Sequence, residues 1–263
     1  MFQKMLTGAI GAGAVAWLLA AVLHFAFVQE YILLGEEYET GAAVHYAGVA
    51  HGEDHAAEPA VADSDMAAAD DHDHDEAASE DGATAHDHSH GDAGDEGSAL
   101  TRNFWTVVFF GLVYVGYAMV LVAGFGLASA YGKVITAREG ILWGIAGFAV
   151  FQLAPAMGLA PELPGTMAAD LTDRQLWWWG TALATALGLA SIAYGRGVAA
   201  LVVGVALLAA PHVIGAPELE GFSGVAPPEV SAAFAARVLG VALAVWALMG
   251  WVAGHLWSRE AAR

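Results

Sequence analysis

Residues 104–129 read FWTVVFFGLVYVGYAMVLVAGFGLAS, 26 residues without one Asp, Glu, Lys, Arg or His. A helix rises about 1.5 Å per residue, so about 20 residues cross the roughly 30 Å hydrocarbon core of a bilayer. This run is long enough to span. Five further apolar segments stand around it, at 5–28, 140–157, 176–194, 198–213 and 234–257. The shortest, 198–213, follows 176–194 after a turn of Gly195-Arg196-Gly197, so the two read as one hairpin. The expected fold is all-α and polytopic: about six transmembrane helices, arranged as three hairpins.

Composition agrees. The chain has 263 residues, 57% hydrophobic and 14% charged, with a mean hydropathy of +0.53. A soluble domain carries about 25% charged residues. The net charge is −19, and 20 of the 28 acids lie between Glu30 and Glu96. The chain is thus an apolar body carrying one acidic insertion. No basic patch exists, which argues against nucleic acid as a partner. There are no cysteines, hence no disulfides, thiolate metal sites or Cys nucleophiles.

Charge also gives a topology. Positive residues favour the cytoplasmic side. With the N-terminus inside and six spans, Lys4, Lys133, Arg138, Arg196, Arg259 and Arg263 lie inside. Arg102, Arg174 and Arg237 lie outside, with 26 of the 28 acids. Five spans would put Arg259 and Arg263 outside, so charge favours six. Lys4 followed by an apolar run also fits a cleaved signal peptide, but the run is longer than a usual signal core and reads better as a first span. Both termini are expected in the cytoplasm, in a bacterial inner membrane. The expected division is a first transmembrane helix at 1–30, an acidic extracytoplasmic loop at 31–102, and five further helices at 103–263.

Two segments repeat. Residues 154–165 read APAMGLAPELPG and residues 210–221 read APHVIGAPELEG, both fitting A-P-x4-A-P-E-L-x-G at an offset of 56. Each closes a helix that runs outward, and Pro155 and Pro211 would kink its last turn. Arg102, Arg174 and Arg237 each sit where a helix enters the membrane from outside. A cation there opposes the helix dipole. Specific acceptors would relieve this, with Glu162 and Glu218 as candidates; snorkelling to the interface is the simpler alternative.

The stretch from about residue 41 to 98 lacks apolar periodicity and is expected to be disordered on its own. It holds eight of the eleven histidines, including His72 and His74 within DDHDHDE and His86, His88 and His90 within HDHSH. Neutral imidazoles suit Co²⁺, Ni²⁺, Zn²⁺ and Cu²⁺, and neighbouring carboxylates add charge and oxygen ligands. Alternating His-x-His in a flexible chain lets several nitrogens converge on one ion. A solvated acidic spacer is the bland alternative.

Three histidines remain. His24 and His212 fall near the outer ends of the first and fifth spans, with Gln152 at similar depth in the third. Polar groups at such depth face a cavity or one another. Together they form a candidate metal-intake site, with Glu30 at its mouth. Taken singly, each is better read as one interhelical hydrogen bond. His255, near the inner end, reads as facing headgroups. No clear pair of axial histidines supports haem. The tryptophans at span ends form an aromatic belt, and the many Gly and Ala permit close helix contact. Gly8 to Gly13 follows no strand and is not a dinucleotide fingerprint. Walker A, Gly-x-Ser-x-Gly and His-Glu-x-x-His sequences are absent, and no resident cofactor or catalytic pair is indicated.

The start MFQKMLTGAIGAGAVAWLLAAVLHFAFVQEYILLGEEYE resembles the CbtA family of cobalt transporter subunits. So do APAMGLAPELPG, DRQLWWWGTALATALGLA and PHVIGAPE. The resemblance implies an integral membrane protein of cobalamin-linked cobalt uptake. It also implies a small CbtB partner with a single span. Family members are commonly described with about five spans, whereas charge here argues for six. Many lack so long a histidine-rich insertion, so its role does not carry over. The expected function is a membrane subunit of a divalent-metal transporter, for Co²⁺ or else Ni²⁺ or Zn²⁺. The rival is a non-transporting accessory that supplies metal to another permease; a membrane enzyme is weaker, since no acid–base pair stands in the spans.

Overall fold

The computed structural model describes residues 2–44, 92–221 and 224–261. Its helices are α1 (Phe2–Phe27), α2 (Gln29–Thr40), α3 (Asp92–Ala130), α4 (Ala137–Ala156), α5 (Leu171–Tyr194), α6 (Gly197–Ile214) and α7 (Pro228–Ala261). All but α2 contain a stretch long and apolar enough to cross a membrane, and each coincides with one of the six segments expected from the sequence. Among the described residues there is no strand, only an isolated antiparallel bridge between Thr166 and Gly224. The chain is an all-α polytopic membrane protein.

Residues 1–45 and 101–263 make one compact unit, and 46–100 a second. Of the second, the described part is helical, the start of α3. The segment expected as a loop at 31–102 is therefore helical at both ends. Its centre, with His72, His74, His86, His88 and His90, lies outside the described residues.

The main core gathers side chains from α1, α3, α4 and α7. Ala9, Ala12, Ala16 and Ala20 form a buried stripe along α1. It meets Ala118, Leu121, Val122 and Phe125 of α3, and Val245, Trp246 and Met249 of α7. Lipid tails are as apolar as leucine, so burial alone drives no association inside a membrane; close approach of backbones does. Small residues supply it here. A Cβ at Gly13 would stand 2.7 Å from the Cα of Val115. On α4 and α7 the approach is closer. Gly140 and Gly144 face Gly250 and Gly254, a Gly-x-x-x-Gly on each helix, and a Cβ at Gly140 or at Gly250 would collide with the other's carbonyl oxygen. These contacts also fix direction. Gly13 meets Val115 while Met5 meets Gly126, so α1 and α3 are antiparallel, as are α4 and α7.

The α5–α6 hairpin closes on itself through Gly188 and Gly204, where a Cβ on either would stand 2.9 Å from the other's carbonyl oxygen. Leu183, Leu187, Leu201, Val202 and Val205 remain exposed on its outer surface. A second, smaller core lies at the end of α1 and the start of α7: Val28, Leu163 and Phe234 are buried together, with Tyr31 and Ile32 of α2 against them. It fixes α2 over the first repeat, because Gly35 lets Pro164 approach; a Cβ there would stand 3.0 Å from Pro164 Cδ.

Candidate functional site

The alternating helices bring the ends of α1, α4 and α6 and the starts of α3, α5 and α7 to one side of the membrane unit. The acidic insertion departs from this side, between α2 and α3. Here lie both repeats and every sequence-designated residue of the spans.

The two repeats meet. A Cβ at Gly158, in the first copy, would collide with the Trp177 ring at 2.5 Å and with the Ala216 Cβ of the second copy at 2.7 Å. Trp177 is wedged between them. Its Nε1 donates to the Pro211 carbonyl at 3.3 Å, and its ring stands edge-on to His212 at 6.3 Å. His212 thus packs against an aromatic ring of α5, held there by the last turn of α6, which carries Pro211.

Gln152 sits in a feature the sequence reading did not foresee. Residues Ala149–Leu153 form a π-helical turn, closed by the Ala154 N–H donating to the Ala149 carbonyl. Pro155 has no N–H to donate to the carbonyl four residues before it, so the ordinary ladder cannot close here. Such turns recur at functional sites. Gln152 is half-buried, and its side chain has no hydrogen-bond partner among the described residues. The proline was visible in the sequence, but a kink and an inserted residue share that signal.

His24 lies three residues before the end of α1, edge-on to Phe25 at 5.4 Å and to Phe110 of α3 at 5.0 Å. From Phe110 rings continue inward through Tyr114 and Tyr117 to Trp246 and Phe151. The Trp246 Nε1 is buried without a hydrogen-bond partner among the described residues. His24 therefore belongs to the α1–α3 contact and His212 to the α5–α6 hairpin. Among the described residues no three His, Asp or Glu side chains gather in a way that would hold a metal ion.

Arg102, Arg174 and Arg237 do have acceptors. Arg174 pairs with Glu162 at 2.7 Å, joining the first repeat to the start of α5, as the sequence suggested. Arg237 pairs with Glu30 at 2.8 Å, donates to the Phe27 carbonyl at 3.4 Å, and lies 4.5 Å from the Tyr31 ring. Arg102 pairs with Glu36 at 3.1 Å, and Gln29 donates to Asn103 at 2.9 Å. Glu218 makes no ion pair among the described residues: the position twelve beyond it, where Arg174 stands relative to Glu162, is Val230. Glu30, placed by sequence at the mouth of a metal site, is engaged with Arg237.

A family model described as "Probable cobalt transporter subunit (CbtA)" matches residues 2–258, nearly the whole chain. The chain belongs to the CbtA family. Comparison with curated proteins and with solved structures found no match. As a CbtA protein it is a multi-pass membrane subunit of a cobalt transporter family, and a subunit implies a partner. The Pro155 π turn and the two repeats lie within the matched span.

Proposed function

We propose that this CbtA chain is the membrane subunit of a divalent-metal uptake transporter, with Co²⁺ as cargo and Ni²⁺ or Zn²⁺ as competitors. The match over residues 2–258 carries the reading. The repeats at the loop side supply a place for metal to arrive. The chain lies in the inner membrane with both termini cytoplasmic, and a CbtB-like single-span subunit completes it. The insertion faces the extracytoplasmic space and captures metal through His72, His74, His86, His88 and His90. His24, Gln152 and His212 then receive the ion, with Glu30 at the mouth.

Reconstitution into liposomes, with and without the single-span subunit, tests this by measuring Co²⁺, Ni²⁺ and Zn²⁺ entry. Replacing His24 and His212 together by alanine abolishes entry on this reading; unchanged entry removes the pathway. Metal binding by a peptide of residues 64–95 weakens as pH falls through about 6.5, because protons compete for the imidazoles. Calorimetry at several pH values reads this, and a pH-independent affinity excludes histidine capture.

The placement of His24 and His212 on different helix pairs favours a second reading, a metal-binding accessory that feeds another permease. Deleting 64–95 separates the two. An accessory loses its effect entirely, whereas a transporter keeps uptake at high metal concentration.

A further inference from the structure

Away from the repeats, an apolar cavity of 430 Å³ opens between α3, α4 and α5. Ala146, Ala186, Ala190 and Ala193 present only methyl groups to it, and Trp143, Tyr194 and Trp246 frame it, the Trp143 and Trp246 rings lying against Gly124 and Gly147. An apolar cavity of this kind is not held open by ordered water, which needs polar partners. In a membrane its apolar lining suits an alkyl occupant better than water.

The volume chooses among occupants. A helix about 10 Å across with a 5.4 Å pitch occupies about 420 Å³ or more per turn. The cavity therefore accommodates roughly one turn of a partner helix or of a second copy, too little to seat a crossing segment. A single flexible alkyl chain fits. Charge at the mouth names its headgroup. The Lys133 Nζ lies 5.4 Å from the centre of the Tyr194 ring, which lines the cavity. Arg138 stands in the first turn of α4 and Arg196 in the turn beyond Tyr194. Glu139 also lines the mouth, but its carboxylate accepts the Thr136 N–H at 3.2 Å in a capping box, turned to its own helix end. Basic groups beside a pocket between transmembrane helices are the pattern that binds anionic lipid headgroups.

We infer that this cavity is a binding site for one anionic phospholipid, its acyl chain between α3, α4 and α5 and its phosphate at Lys133. Native mass spectrometry of the full chain in detergent, titrated with phosphatidylglycerol or phosphatidylcholine, tests it. The wild-type chain retains one phosphatidylglycerol more tightly than phosphatidylcholine. Ala190→Phe fills the cavity and weakens both lipids at least about tenfold. Lys133→Gln, outside the spans, lowers the phosphatidylglycerol preference by about fivefold, the worth of one cation near an anionic headgroup. It stays informative even where Ala190→Phe fails to fold. Equal binding of the two lipids by the wild type overturns the inference, as does an unaltered preference in Lys133→Gln. So does an Ala190→Phe chain that folds and retains lipid unchanged, or one whose only defect is lost association with a second protein chain.

Discussion

Helices α1 and α6 are almost equally apolar, yet 39% of the most apolar stretch of α1 is buried in the protein and only 11% of that of α6. The difference lies in where the small residues stand. On α1 they form a stripe at helical spacing, Ala9 through Ala20 with Gly13 beside it, which admits α3 and α7 to close range. On α6 the close contact is Gly204 against Gly188, and Leu201, Val202 and Val205 point away from the protein. Hydropathy says which segments enter a membrane. The spacing of Gly and Ala says which of them pack on protein and which meet lipid.

The comparison can be broken most directly at the α4–α7 crossing. Gly144→Leu forces a branched side chain against the Trp246 carbonyl and the Gly250 backbone, and costs 3 kcal/mol or more, about the upper range for overpacking. Thermal unfolding in detergent should show a chain that is barely folded. Val202→Leu on the exposed face of α6 should leave the midpoint within measurement error. A similar loss in both would erase the distinction between bundle and hairpin. A sharper probe is Trp177→Phe, which keeps the ring but removes the hydrogen bond to the Pro211 carbonyl. About 1 kcal/mol should be lost, with loosening confined to the repeat contact as read by hydrogen exchange at 210–216. A smaller effect than that of Trp177→Phe is expected from Arg237→Gln. Its ion pair with Glu30 is partly exposed on both sides, so a double-mutant cycle with Glu30→Gln should give about 0–1 kcal/mol. A larger coupling would mean that the pair is held far more rigidly than its exposure implies.

Five spans were legible because 18 or more apolar residues have few other fates, and the sixth, 198–213, because the hairpin turn and the charge count required it. The Arg174–Glu162 pair was legible because its members stand 12 residues apart, one in a loop and the other at the start of the helix that follows it. The partners of Arg237 and Arg102, 207 and 66 residues away, depend on which helices become neighbours, and no local pattern fixes that. Helix α2 was missed because 29–40 mixes Glu and Tyr with apolar residues and carries no span signal. The Gly-x-x-x-Gly at 140–144 and at 250–254 was in plain view, but only their facing each other gives them meaning. At the candidate site, the common side of His24, Gln152 and His212 followed from counting spans. Their different neighbours, Phe110 for His24 and Trp177 for His212, followed from packing.

The glycine contact between α4 and α7 has a mechanical corollary. Where main chain rests on main chain, at Gly140, Gly144, Gly250 and Gly254, no side chain lies between the two helices to absorb a slide or a roll. They behave as a single strut across the bilayer. Any rearrangement within this chain is carried by joints elsewhere, the nearest being the π turn that ends α4 and the segment that leads on to α5.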